Sequence, residues 1–184
     1  MDSNGFYDIE DFEIAYKERL YEYKFIEEKS SEGEFRILLM HLGGIILECY
    51  IKSIIINKKN ITKSRSGKRN WYSQEYFEYI TQLKQCERKA EFDKRIPTEE
   101  NPGHKIRDAI CKISILNQVL NDRNDIEEDI RKIQNPFDDE REFIDLRYSV
   151  TEDNEYTENV FKEWKESFIN VYKWITYIIE VEEG

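Results

Sequence analysis

The sequence predicts an all-α protein, an antiparallel helical bundle with a long central helix and a long C-terminal helix. Three observations carry this expectation. Residues 35–57, FRILLMHLGGIILECYIKSIIIN, are almost continuously apolar. That run is too long for a strand, and as a helix it would span roughly 35 Å. Elsewhere apolar residues recur at intervals of three or four, the period of a half-buried helix. Strand-like alternation is weak throughout.

The central stretch is predicted to be buried on several sides. Its polar residues Glu34, His41, Glu48 and Lys52 fall within one narrow arc at 100° per residue, and a helix apolar everywhere else needs neighbours around it. Gly43 and Gly44 weaken helix propensity by roughly 1 kcal/mol each, but they let another backbone approach closely. Upstream, Ile9, Phe12, Tyr16, Leu20, Tyr23 and Ile26 predict a helix over 8–29. The short break at Ser30, Ser31 and Gly33 predicts an antiparallel return.

Downstream, 57–70 reads as a polar loop, NKKNITKSRSGKRN. Residues 74–92 predict a helix with Tyr76, Tyr79, Ile80, Leu83 and Cys86 on its apolar side. Pro97, Pro102 and Gly103 mark a loop. Ile106, Ile110, Ile113, Leu116 and Leu120 then predict a single helix from about residue 105. A break near Asp122, which could cap the next turn, separates it from a shorter helix through Ile126, Ile130 and Ile133. After Pro136, Asp138, Asp139 and Glu140 suit the positive end of a short helix through Leu146. The last helix is expected over 155–180, with Val160, Trp164, Phe168, Val171, Ile175 and Ile178 as its stripe. One domain, residues 8–180, accounts for all of this.

With 184 residues the chain can bury a sizeable core. A formal charge of −11 disfavours broad contact with nucleic acid or anionic membrane. Twelve Tyr and ten Phe argue against disorder. Three cysteines, Cys49, Cys86 and Cys111, make a poor disulfide framework. The N terminus does not read as a signal peptide. Charged and polar residues inside the central stretch argue against a membrane span. A cytoplasmic protein without membrane association is expected.

The acidic chain has one basic exception. Lys58, Lys59, Lys63, Arg65, Lys68 and Arg69 lie in the 57–70 loop without a single acid. Such a loop either solubilises the surface or contacts phosphate or an acidic partner. Trp71 and Tyr72 beside it could stack on bases or anchor a helix start. No cofactor-binding glycine motif and no spaced metal-ligand set accompanies these residues, so neither cofactor nor metal is expected. His41, Glu48 and Lys52 form a polar group for the core or an interface, with Glu48 and Lys52 in favourable helical order. His104 sits at a loop–helix junction, suited to capping or packing.

Residues 44–55, GIILECYIKSII, resemble the second-helix pattern GxxLExxLKxLL of HEPN-domain proteins through Gly44, Leu47, Glu48, Ile51, Lys52 and Ile55. Gly103–His104–Lys105–Ile106 is similar to that family's Gly-His-Asp-Leu junction, with Lys105 in place of Asp, and Leu146–Arg147–Tyr148 to its Leu-Arg-Tyr segment. The resemblance implies a helical bundle, often a homodimer. It also implies one of three roles: RNA-cleaving toxin, partner of a small nucleotidyltransferase, or noncatalytic domain in a defence system. Active ribonucleases of the family carry Arg and, after four to six residues, His on a later helix. Here that spacing occurs only in Arg36…His41, ahead of the second-helix pattern, and no His follows Arg147.

The expected function is therefore a noncatalytic or accessory interaction module of a toxin–antitoxin or defence system. It would work with a nucleotidyltransferase-like or other protein partner. The alternatives are a metal-independent endoribonuclease, with Arg36, His41, His104 and Arg147 as candidate catalytic residues, and a nucleic-acid tether binding RNA through the basic loop. Arg36 and His41 stand about 140° apart on an ideal helix. His41 is thus expected to organise polar packing near Glu48, and Arg36 to have a structural or surface role. The aromatic surplus of the final helix is expected to be buried in a homodimer.

Overall fold

The computed structural model describes residues 10–29, 35–62, 69–84, 87–88, 97–149 and 155–184. Helix α1 (Phe12–Lys29) begins where Asp11 accepts hydrogen bonds from Ile14 and Ala15. It packs along α2 (Arg36–Lys58), the axis of the fold, and buries Phe12 beside Trp71 and Tyr23 beside Phe168. Sixteen of the 23 residues of α2 are buried. It ends as the sequence KKNI dictates: Asn60 takes the left-handed conformation (φ 47°), and Ile61 and Asn60 donate back to Ile56 and Asn57. That pattern closes the orphan carbonyls of a helix end, and asparagine tolerates it.

Two short strands interrupt the helices. β1 (Asn70–Trp71) pairs antiparallel with β2 (Glu99–Glu100), Asn70 opposite Glu100 and Trp71 opposite Glu99. A two-residue ladder is too short to write an alternating pattern into the sequence. Helix α3 (Gln74–Gln82), capped by the Ser73 hydroxyl, stops well before residue 92. Leu83 turns extended, and the Arg88 guanidinium donates to the carbonyls of Thr81 and Leu83. The expected single helix after residue 105 is two, α4 (Ile106–Cys111) and α5 (Ser114–Leu120). The extended backbone of Ile113 between them keeps its own side chain buried.

The break near Asp122 is present, and α6 (Asn124–Gln134) follows with Ile126, Ile130 and Ile133 buried. Asp122 does not cap it: Arg123 is the boundary residue, and its guanidinium pairs with Asp125. The helix expected over Asp138–Leu146 is replaced by bends and a 3₁₀ turn at Asp145–Tyr148. Asp138 has φ 54°, and Asp138 and Asp139 instead receive Arg131 and Arg141.

The last helix, α7 (Glu155–Glu183), lies against α2 and α6. Trp164, Phe168, Trp174 and Ile179 are buried within the chain itself. The aromatic surplus expected at a dimer interface is thus largely in the chain's own core, and Tyr156, Ile169, Tyr177 and Val181 are the large apolar side chains that α7 shows to solvent. Gly43 of α2 explains how α7 comes so near, and Gly44 makes room for Phe143. A Cβ on Gly43 would lie 2.3 Å from the Trp164 ring, and one on Gly44 would lie 2.2 Å from the Phe143 ring.

A candidate functional site along one polar face of the central helix

His41, Glu48, Lys52 and Lys59 recur at seven, four and seven residues, so they follow one face of α2. That face meets the segment from β2 to the 3₁₀ turn. At its N-terminal end the buried His41 donates from Nδ1 to the Phe143 carbonyl, 2.9 Å away. His41 therefore organises polar packing, but around Phe143 and not around Glu48. His41→Ala leaves that buried carbonyl without its donor. We expect a loss of about 1–3 kcal/mol of stability, read by urea unfolding.

Glu48 holds the middle. Its Oε1 accepts from Lys52 Nζ at 2.6 Å, and its Oε2 accepts from His104 Nδ1 at 2.8 Å. The Glu48 and Lys52 side chains are only 8% and 4% exposed, whereas that of His104 is 52% exposed. Lys52 also lies 5.1 Å above the Phe12 ring, a cation–π contact. A carboxylate at Nδ1 fixes the proton on that nitrogen, so Nε2 of the neutral ring is the one with a free lone pair.

The turn carrying His104 is held from three sides. Gly103 adopts φ 65°, where a Cβ would be strained although no atom lies within 4 Å of its position. The Asn101 side chain accepts from Gly103 N–H. Gln134 on α6 accepts from Ile106 N–H and donates to the His104 carbonyl, at 3.0 and 3.2 Å. Further along the face, Glu99 on β2 receives both Lys59 and Lys112. Burial alone would raise the Glu99 carboxyl, but its bonds to Lys112 and Lys59 outweigh burial and hold it below its ordinary value.

The remaining candidates do not join this site. Arg36 is half-buried and pairs with Glu158 on α7 at 3.4 Å. The exposed Arg147 lies over the ring of its neighbour Tyr148, 4.5 Å from the centroid. Lys58 pairs with Glu182, and Arg69 is exposed. Lys63, Arg65 and Lys68 lie outside the described residues, as do Glu34 and Cys86. Trp71 and Tyr72 are buried and so anchor the β1–α3 junction; they offer no face for a base. Burial pushes the Cys49 thiol up to about 12, which leaves no thiolate for chemistry at neutral pH. Among the described residues no group of three His, Cys, Asp or Glu side chains is placed to hold a metal.

Sequence reasoning missed Glu99, Lys112 and Gln134. Glu99 is one of several acids in its stretch, and nothing in spacing marks it as the one that turns inward. The turn residues Asn101, Pro102 and Gly103 were the available signal for a structured junction at His104.

The architecture is thus a mostly helical one organised around a buried Glu48–Lys52 pair that carries an exposed histidine. Compared with family models, curated proteins and solved structures, the chain gives no match.

Proposed function

We propose that the chain is an accessory, HEPN-like interaction module of a toxin–antitoxin or defence system, acting through protein contacts in the cytoplasm. One observation supports this reading above the others: the single Arg–x4–His spacing is taken up by packing. His41 is buried with its ring on the Phe143 carbonyl, and Arg36 pairs with Glu158. A ribonuclease needs a His within reach of the attacking 2′-hydroxyl and a cation at the developing phosphate charge. We further propose a homodimer, with Tyr177 and Val181 at the exposed end of α7 as its contact, and a second protein, nucleotidyltransferase-like in the family's manner, as the functional partner.

A second reading has its own observation. Glu48 orients His104 so that Nε2 can accept a proton, the arrangement of a carboxylate-supported general base. In that reading His104, and not His41, serves RNA cleavage.

One set of purified proteins separates the readings: wild type, His41→Ala and His104→Ala, assayed on single-stranded RNA and tRNA, with sedimentation across a dilution series. The expected outcome is no cleavage by any of the three and a concentration-dependent dimer. Cleavage that is lost in His104→Ala and kept in His41→Ala establishes the second reading. Cleavage lost in folded His41→Ala overturns the first outright.

A further inference from the structure

Residues 99–105 carry one lysine against two glutamates, but the groups bonded to them bring in more cations than acids. Glu99 is saturated by Lys59 and Lys112, and Glu48 by Lys52 and His104. Asn101 N–H donates to the Arg69 carbonyl at 2.8 Å, which fastens the end of the basic loop to the same segment. Segment 99–105 and the groups tied to it therefore hold Lys52, Lys59, Arg69, Lys105 and Lys112 against Glu48, Glu99 and Glu100. The whole chain, by contrast, carries −11. Arg69 and Lys105 are exposed and have no side-chain partner among the described residues. At most about 14 Å of backbone separates Asn101 from Lys105, and Asn101 is bonded to Arg69, so Arg69, His104 and Lys105 are carried on one connected piece of surface.

We propose that Arg69, His104 and Lys105 form a docking site for an acidic segment of a partner protein. This rests on the protein-contact reading above and names where that contact is made. Lys52 neutralises the carboxylate beneath His104, so an incoming carboxylate meets an imidazole whose own counter-ion is already compensated. Arg69 and Lys105 supply long-range attraction, and the exposed His104 ring adds a polar contact between them in sequence. An acidic peptide fits better than RNA for two reasons. The aromatic residues beside the loop, Trp71 and Tyr72, are buried and provide no stacking platform. A strand long enough to gain from many phosphates would also run over the acidic remainder of the surface.

The test uses fluorescence anisotropy with a labelled peptide of alternating glutamate and serine, its glutamine–serine counterpart, and a labelled single-stranded RNA. Wild type is expected to bind the acidic peptide, to ignore the glutamine version, and to lose affinity as salt rises. Arg69→Glu with Lys105→Glu should weaken binding by about tenfold or more. Lys24→Glu with Lys173→Glu makes the same change in net charge on exposed positions of α1 and α7 and should leave binding unchanged. Thermal unfolding confirms that both pairs fold. Absence of binding, equal binding of the glutamine peptide, equal loss in both variant pairs, or tighter RNA binding through the same residues would each overturn the proposal. RNA cleavage by a wild type that still binds the peptide removes the accessory reading and leaves this site standing. A partner still recovered with the Arg69→Glu, Lys105→Glu protein does the reverse.

Discussion

Glu48→Ala lowers the unfolding free energy by about 3–5 kcal/mol, the largest single-residue loss we expect in this chain. The substitution leaves the Lys52 ammonium buried without its carboxylate partner and in contact with the Phe12 ring. The His104 Nδ1–H loses its acceptor as well. Glu48→Leu combined with Lys52→Met removes both charges and refills the space, so it should recover most of the loss. Urea denaturation of wild type, the single variant and the double variant reads both numbers. A loss below about 1 kcal/mol in Glu48→Ala would mean that Lys52 escapes to water and that the pair is not a buried one.

Gly44→Ala is expected to destabilise by about 1–3 kcal/mol even though alanine is the better helix former by about 1 kcal/mol. The added methyl would stand 2.2, 2.3 and 2.9 Å from Cδ2, Cγ and Cβ of Phe143. Phe143 cannot step aside cheaply: its ring is fully buried and its carbonyl accepts from His41. Gly43→Ala meets the far rim of the Trp164 ring at 2.3 and 2.8 Å and Phe168 Cδ2 at 3.4 Å, atoms farther from their own backbone than the Cβ and Cγ of Phe143. We therefore expect Gly43→Ala to cost less than Gly44→Ala. For a chain of this size each 1 kcal/mol lowers Tm by roughly 2–4 °C, so calorimetry resolves the order. Because Gly44 and His41 act on the same residue, Gly44→Ala with His41→Ala should be clearly non-additive.

These two expectations mark where the sequence was readable. An apolar run with a narrow polar arc leaves little choice but a central helix, and adjacent glycines within it announce a close neighbour. Both inferences needed only periodicity and volume. The neighbours themselves were not readable. Phe143 reaches Gly44 from a bend, and His104 reaches Glu48 across 56 positions of sequence. Spacing along one helix placed His41 and Glu48 on one face and suggested that they cooperate. It could not reveal that each would bond to a different residue of a later segment. The short elements failed for a related reason. Helices α4 and α5 share one apolar stripe, so periodicity alone reads them as continuous. The acids at 138–139 suit a helix start until nearby arginines claim them.

The order of elements has a consequence for synthesis. Helix α2 is long and apolar enough by composition to cross a membrane, and in the folded chain it is mostly buried. Part of that cover is α7, which begins at Glu155, whereas α2 ends at Lys58. At 5–20 residues per second, a ribosome needs roughly 5–20 s to make the intervening chain. Through that interval α1, and later α4 and the 3₁₀ turn as they emerge, can shield other faces of α2, but the face destined for Trp164 and Phe168 stays open. The nascent chain thus carries its stickiest surface for seconds before the strand of sequence that covers it exists. Slowing translation between residues 58 and 155 lengthens that exposure, and a holding chaperone would find its binding site there.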